Sequence, residues 1–204
     1  MTTMRVSLAL AAICTLLVIA PSDVTAWLAF DRDAILSGQV WRCWTGHLVH
    51  FSLQHALPDI VVLFVVTSVL EYHAGSRVAV LAFLAGAPLI SLGLLLAVPD
   101  FRLYEGASGI AMLIGVAAGF KLWRADHRLR GIVGLLALIV LIKMFLDSAG
   151  LPIFTTLPAG IQVAWQAHAI GALISLLLAL KELMRPSTHA AVSPNHQLLL
   201  RTQN

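Results

Sequence analysis

The sequence predicts an all-α, polytopic membrane protein: six transmembrane helices with a short central fourth helix. Three observations predict it. Of 204 residues, 59% are hydrophobic and only 11% charged, with a mean hydropathy of +0.91, whereas a soluble domain is about 45–50% apolar and about 25% charged. Six apolar segments recur, at 6–20, 51–70, 77–98, 107–123, 131–147 and 161–181. Most approach the roughly 20 residues a helix needs to cross a hydrocarbon core. Finally, the basic residues alternate by side between these segments.

The first segment follows Arg5. MTTMR, an apolar run and Val24-Thr25-Ala26 before Trp27 also resemble a secretory signal with a cleavage site. Cleavage would leave five spans, but no soluble secreted body follows. The connection over 21–50 carries Trp27, Phe30, Trp41 and Trp44, rings that favour the headgroup level. Pro58 and Pro88 interrupt the second and third segments, which transmembrane helices tolerate. The fourth is short. Lys121, Arg124, Arg128 and Arg130 separate it from the fifth, and Lys181, Arg185 and Arg201 follow the sixth.

With Arg5 and Arg77 these make nine basic residues on one side, against Arg32, Arg42, Arg102 and Lys143 on the other. By the positive-inside rule both termini are cytoplasmic. A membrane domain over 1–185 and a polar, disordered cytoplasmic tail over 186–204 follow. A pI near 9.2 could suggest nucleic acid, but the basic residues sit at helix ends, where orientation explains them. Cys14 and Cys43 offer neither metal spacing nor a disulfide framework.

Two polar residues interrupt the apolar segments at matching depth. His168 lies seven residues into the sixth, roughly 10 Å down. Ser108 lies sixteen residues before the cytoplasmic cluster at Arg124, roughly 24 Å up a core of about 30 Å. Intramembrane polar groups mark functional sites, and serine with histidine is the minimum for nucleophilic hydrolysis. A helix beginning at Ser108 also presents free N–H groups to developing negative charge. Alone, Ser108 reads as a helix cap and His168 as an interhelical hydrogen bond. The matched depth, with Gly106, Ala107 and Gly109 around the serine and Gly171 and Ser175 after the histidine, favours the pair.

A further cluster, His47, His50, His55 and Asp59, opens the second segment. His55 and Asp59 share a helix face. No HExxH pattern is present, so oxyanion donors suit this cluster better than metal ligands; no metal or organic cofactor is expected. Lys143 and Asp147, one turn apart near the outer end of the fifth segment, read as a snorkelling ion pair rather than an ion path.

In this order, these motifs resemble the rhomboid intramembrane serine proteases over most of the chain. Gly106-Ala107-Ser108-Gly109 matches the family's G-x-S-G nucleophile motif, and His168-Ala169-Ile170-Gly171 its last-helix H-x-x-G. The resemblance implies a Ser108–His168 dyad, with His55 and the Ser108 N–H at the oxyanion. It also gives structural roles to Trp41-Arg42 in the first loop and to Glu71 with Gly75 at the end of the second helix. The substrate would be a transmembrane protein segment, unwound between the second and fifth helices. Three positions depart from the pattern. Asp59 stands where Asn is frequent; an ionised carboxylate would repel an oxyanion, so for an oxyanion role it must be protonated, paired or turned away. Met112 replaces an aromatic that supports the base, leaving Trp165 or Gln166 to orient His168. Thr67 replaces a glycine. The compact build and Asp59 resemble the rhombosortase branch, bacterial inner-membrane enzymes that trim C-terminal Gly-Gly-type sorting anchors. The non-enzyme alternative is a catalytically silent relative that binds client helices.

Overall fold

The computed structural model describes residues 4–151 and 164–184. The expected tail over 186–204 lies outside the described residues. The chain is mostly helical. Helix α1 (Arg5–Val18) leads to short helices α2 (Ser22–Leu28), α3 (Arg32–Leu36) and α4 (Arg42–Thr45), then to α5 (Leu53–Ala74) and α6 (Ser76–Ala97). After these come α7 (Ser108–Ala125), α8 (Arg130–Ser148) and α9 (Trp165–Leu183). Among the described residues, four helical stretches are long and apolar enough to cross a membrane: α5, α6, His127–Ser148 and α9. Helix α1 is apolar but shorter.

Helix α7 is the hub. Its Ile110, Ala111, Leu113, Ile114 and Ala118 are buried, and it packs on α5, α6 and α9. Helix α8 is its opposite. Ile132, Leu135, Leu138, Leu141 and Phe145 are all exposed, the pattern of a helix whose apolar surface meets lipid. The sole buried residue of α8 is charged: Asp147.

Local chemistry explains the joints. Ser52 caps α5, its side chain accepting from the His55 N–H. Gly75, at φ +87°, lets α5 turn directly into α6. Glu71, at the end of α5, accepts from the N–H groups of Arg5, Val6 and Ser7 at 3.1–3.2 Å. A carboxylate there satisfies orphan donors at the positive end of α1. Ser76 donates to the same carboxylate at 2.6 Å.

The connection between α1 and α5 is a folded unit. Arg42 is buried, donating to the carbonyls of Ala26 and Ala29 at 2.8 and 2.7 Å and to Gln39 Oε1 at 2.8 Å. Trp41 packs on Trp27 with ring centroids 4.9 Å apart. Strand β1 (Phe30–Asp31) then pairs antiparallel with β2 (Leu103–Tyr104), Phe30 opposite Tyr104. This ribbon ties the first connection to the segment that enters α7.

Candidate active site

Ser108 is the first residue of α7 and His168 sits in the first turn of α9. Sixty residues apart in sequence, Ser108 Oγ and His168 Nε2 lie 2.8 Å from each other. The close approach of the two helices depends on small residues. A Cβ on Gly171 would fall 2.5 Å from the Gly109 carbonyl oxygen, and one on Gly109 would meet Ala167 at 3.2 Å. Gly106 is constrained twice over. Its φ is +139°, and a Cβ would press on the His55 ring at 3.0 Å.

The turn before Ser108 is held by Tyr104 and His50. The Tyr104 hydroxyl donates to the Gly106 carbonyl and accepts from the Gly109 N–H at 3.3 Å. Burial, with the Asp59 charge adding to it, pushes this phenol up, so it remains a neutral hydroxyl. His50 Nε2 accepts from the Ala107 N–H at 3.3 Å, which assigns the ring proton to Nδ1 when the ring is neutral. Asp59 faces the site: its Oδ2 accepts from the Ser108 N–H at 3.1 Å. His50 Nε2 and His55 Nε2 lie 3.5 and 3.6 Å from that same oxygen. Asp59 thus takes the backbone donor that a developing oxyanion at Ser108 would need.

His47 belongs elsewhere, its Nε2 3.1 Å from the Ala87 carbonyl of α6. Trp41, Arg42 and Glu71 are also away from the serine, engaged in the loop and helix-end contacts described above. Among the described residues, no group of three or more His, Cys, Asp or Glu has a metal-holding arrangement.

Residues 37–185 match the family model of the rhomboid domain. The chain belongs to the rhomboid family. Rhomboids are intramembrane serine proteases acting on transmembrane substrates, and the chain is accordingly an integral membrane protein. No curated protein shows significant similarity to it.

In this rhomboid, Ser108 and His168 open into a groove of about 1160 Å³. Its walls include Val61, Val65 and Val69 of α5, Met112 of α7, and Leu136, Val140 and Met144 of α8. Gln166 Oε1 is buried with no hydrogen-bond partner. One expectation needs correction: the Lys143–Asp147 pair is not merely snorkelling. The pair forms at 2.7 Å, but the Asp147 side chain is fully buried while that of Lys143 is 35% exposed. Asp147 Oδ2 lies 4.0 Å from His168 Nδ1. Tyr104 carries little signal in the sequence beyond being an aromatic four residues before the serine.

Proposed function

We propose that this rhomboid is an intramembrane serine endopeptidase working through a Ser108–His168 dyad. The observation that carries the reading is the 2.8 Å separation of Ser108 Oγ and His168 Nε2, within reach for direct proton transfer. In the proposed reaction a substrate helix enters between α5 and α8 and unwinds so that its carbonyl carbon faces Ser108. His168 Nε2 takes the hydroxyl proton as the Ser108 oxygen–carbon bond forms. The Ser108 N–H and His55 hold the oxyanion, which requires the Asp59 carboxyl to move aside or to carry a proton. His168 then gives its proton to the leaving amine, and water reaching the site from the outer face hydrolyses the acyl-enzyme. This chemistry needs no metal or organic cofactor.

The finer parts of the proposal are a six-span topology with both termini cytoplasmic in a bacterial inner membrane, and a rhombosortase substrate with a C-terminal Gly-Gly-type anchor. Asp59 and the compact build support that branch. The test is cleavage of a Gly-Gly-anchored substrate and of a generic single-span substrate in liposomes, by wild type and by Ser108→Ala. Cleavage by wild type alone supports the dyad, and preference for the first substrate supports the branch. Cleavage retained in Ser108→Ala overturns the proposal. Client binding without cleavage by either protein supports the silent, helix-binding alternative.

A further inference from the structure

Helix α8 buries one side chain, Asp147, and that side chain faces the histidine. Lipid-facing helices rarely carry an inward anion without a purpose, because desolvating a carboxylate is costly unless it is paired and hydrogen-bonded. Lys143 reaches only one of its oxygens: Oδ2 is 2.7 Å from the ammonium, whereas Oδ1 is buried with no hydrogen-bond partner. Among the described residues, the other group within reach of Oδ2 is Nδ1 of His168, at 4.0 Å. That nitrogen is on the opposite edge of the ring from the one that meets Ser108. The order Ser108, His168, Asp147 therefore runs through both ring nitrogens, and comes from three different helices.

We propose that Asp147 is a positioning residue for His168, an acidic third member that the dyad reading lacks; this rests on the Ser108–His168 assignment above. Its carboxylate favours the neutral tautomer with the proton on Nδ1, leaving the Nε2 lone pair to accept from Ser108. When Nε2 takes that proton, the ring becomes an imidazolium, and Asp147 stabilises it without accepting a proton itself. The Nε2 proton leaves on the amine nitrogen as the peptide C–N bond breaks, and the ring returns to its starting tautomer. At 4.0 Å the two atoms are about 1 Å beyond a hydrogen bond, so the contact acts through charge at rest and tightens as the ring becomes positive. Lys143, 2.7 Å from Oδ2, anchors the carboxyl at the edge of α8. The charged and titratable groups facing His168 are Asp147 and Lys143 of α8 and His55 and Asp59 of α5, with Ser108 of α7 bonded to it.

The test is Asp147→Asn and Asp147→Glu in the full chain, reconstituted in liposomes with a cleavable single-span substrate, alongside wild type and Ser108→Ala. Asp147→Asn is expected to lower kcat by about 10- to 10⁴-fold, the upper end being the loss seen when a triad aspartate is made neutral, with KM little changed. Because a neighbouring anion favours the imidazolium, its removal moves the acid limb of the kcat/KM profile to lower pH. Asp147→Glu restores part of kcat and returns the limb toward its wild-type position. An Asp147→Asn enzyme with wild-type kcat and an unmoved limb overturns the proposal. So does a fall in kcat with an unmoved limb and no rescue by glutamate, which marks a structural role. If Asp147→Asn does not fold, the ¹⁵N shifts of His168 in the wild-type protein decide: a neutral ring protonated on Nδ1 supports the proposal and one protonated on Nε2 overturns it. Substrate cleaved equally by wild type and Ser108→Ala overturns the dyad itself, an outcome separate from any behaviour of Asp147.

Discussion

Gly171 and the carbonyl of Gly109 sit so close that a single added Cβ would lie 2.5 Å from the oxygen. The oxygen is backbone, so nothing flexible can yield, and the helices themselves must part. Because Ser108 precedes Gly109 and His168 lies one turn before Gly171, their 2.8 Å contact is set by this crossing. Gly171→Ala is expected to lower kcat about 100-fold or more, since a 1 Å misplacement can cost that much. The helical circular dichroism should be unchanged. Wild-type turnover in this variant would mean the crossing does not set the site.

Asp59 offers a second, opposite test. Its Oδ2 holds the Ser108 N–H at 3.1 Å, the donor the oxyanion needs. Asparagine at this position removes the competing negative charge and adds an N–H₂ donor. Asp59→Asn should therefore raise kcat at neutral pH by roughly tenfold, about 1.4 kcal/mol of barrier. A loss of turnover would show that the carboxyl takes part in the reaction as a proton carrier.

The site was partly legible in the sequence, for identifiable reasons. Depth is a linear count along a helix, so matching Ser108 with His168 needed only the helical rise and a direction of travel. The small residues at Gly109 and Gly171 signalled close packing because bulk can be read from residue type alone. Asp147 was misread because the i,i+4 spacing with Lys143 is equally that of a surface ion pair; which of the two faces inward depends on the rotation of α8 about its axis. Tyr104 was missed because its place is fixed by a two-residue ribbon with Phe30, too short to leave a periodic pattern. Glu71 and Arg42 were marked by resemblance only, and the structure supplies their physical roles as a cap on α1 and a clamp on the first connection.

Glu71 therefore should matter for stability rather than chemistry. It accepts from three backbone N–H groups of α1 and from Ser76. Glu71→Gln weakens charge-assisted bonds at a helix start and is expected to cost about 1–3 kcal/mol. Unfolding in detergent micelles would measure this, and an unchanged midpoint would remove Glu71 from the scaffold.

Acid should also loosen the protein through His47. Burial lowers this imidazole from 6.5 to about 4, although its bond to the Ala87 carbonyl works the other way. The folded state thus prefers the neutral ring. Its contribution is complete above the unfolded value near 6.5 and declines as pH falls toward about 4. The loss amounts to roughly 3 kcal/mol. His47→Gln should flatten the fall in unfolding midpoint between pH 7 and pH 4.5; an identical fall in the variant would assign acid sensitivity to other groups.

The most direct measurement is the residue captured by a fluorophosphonate, read by mass spectrometry on the protein in liposomes. A hydroxyl activated by an imidazole 2.8 Å away predicts a single adduct on Ser108 in the wild-type chain, abolished by His168→Ala and by prior unfolding. An adduct on any other serine, or labelling of Ser108 that survives loss of His168, would contradict the account.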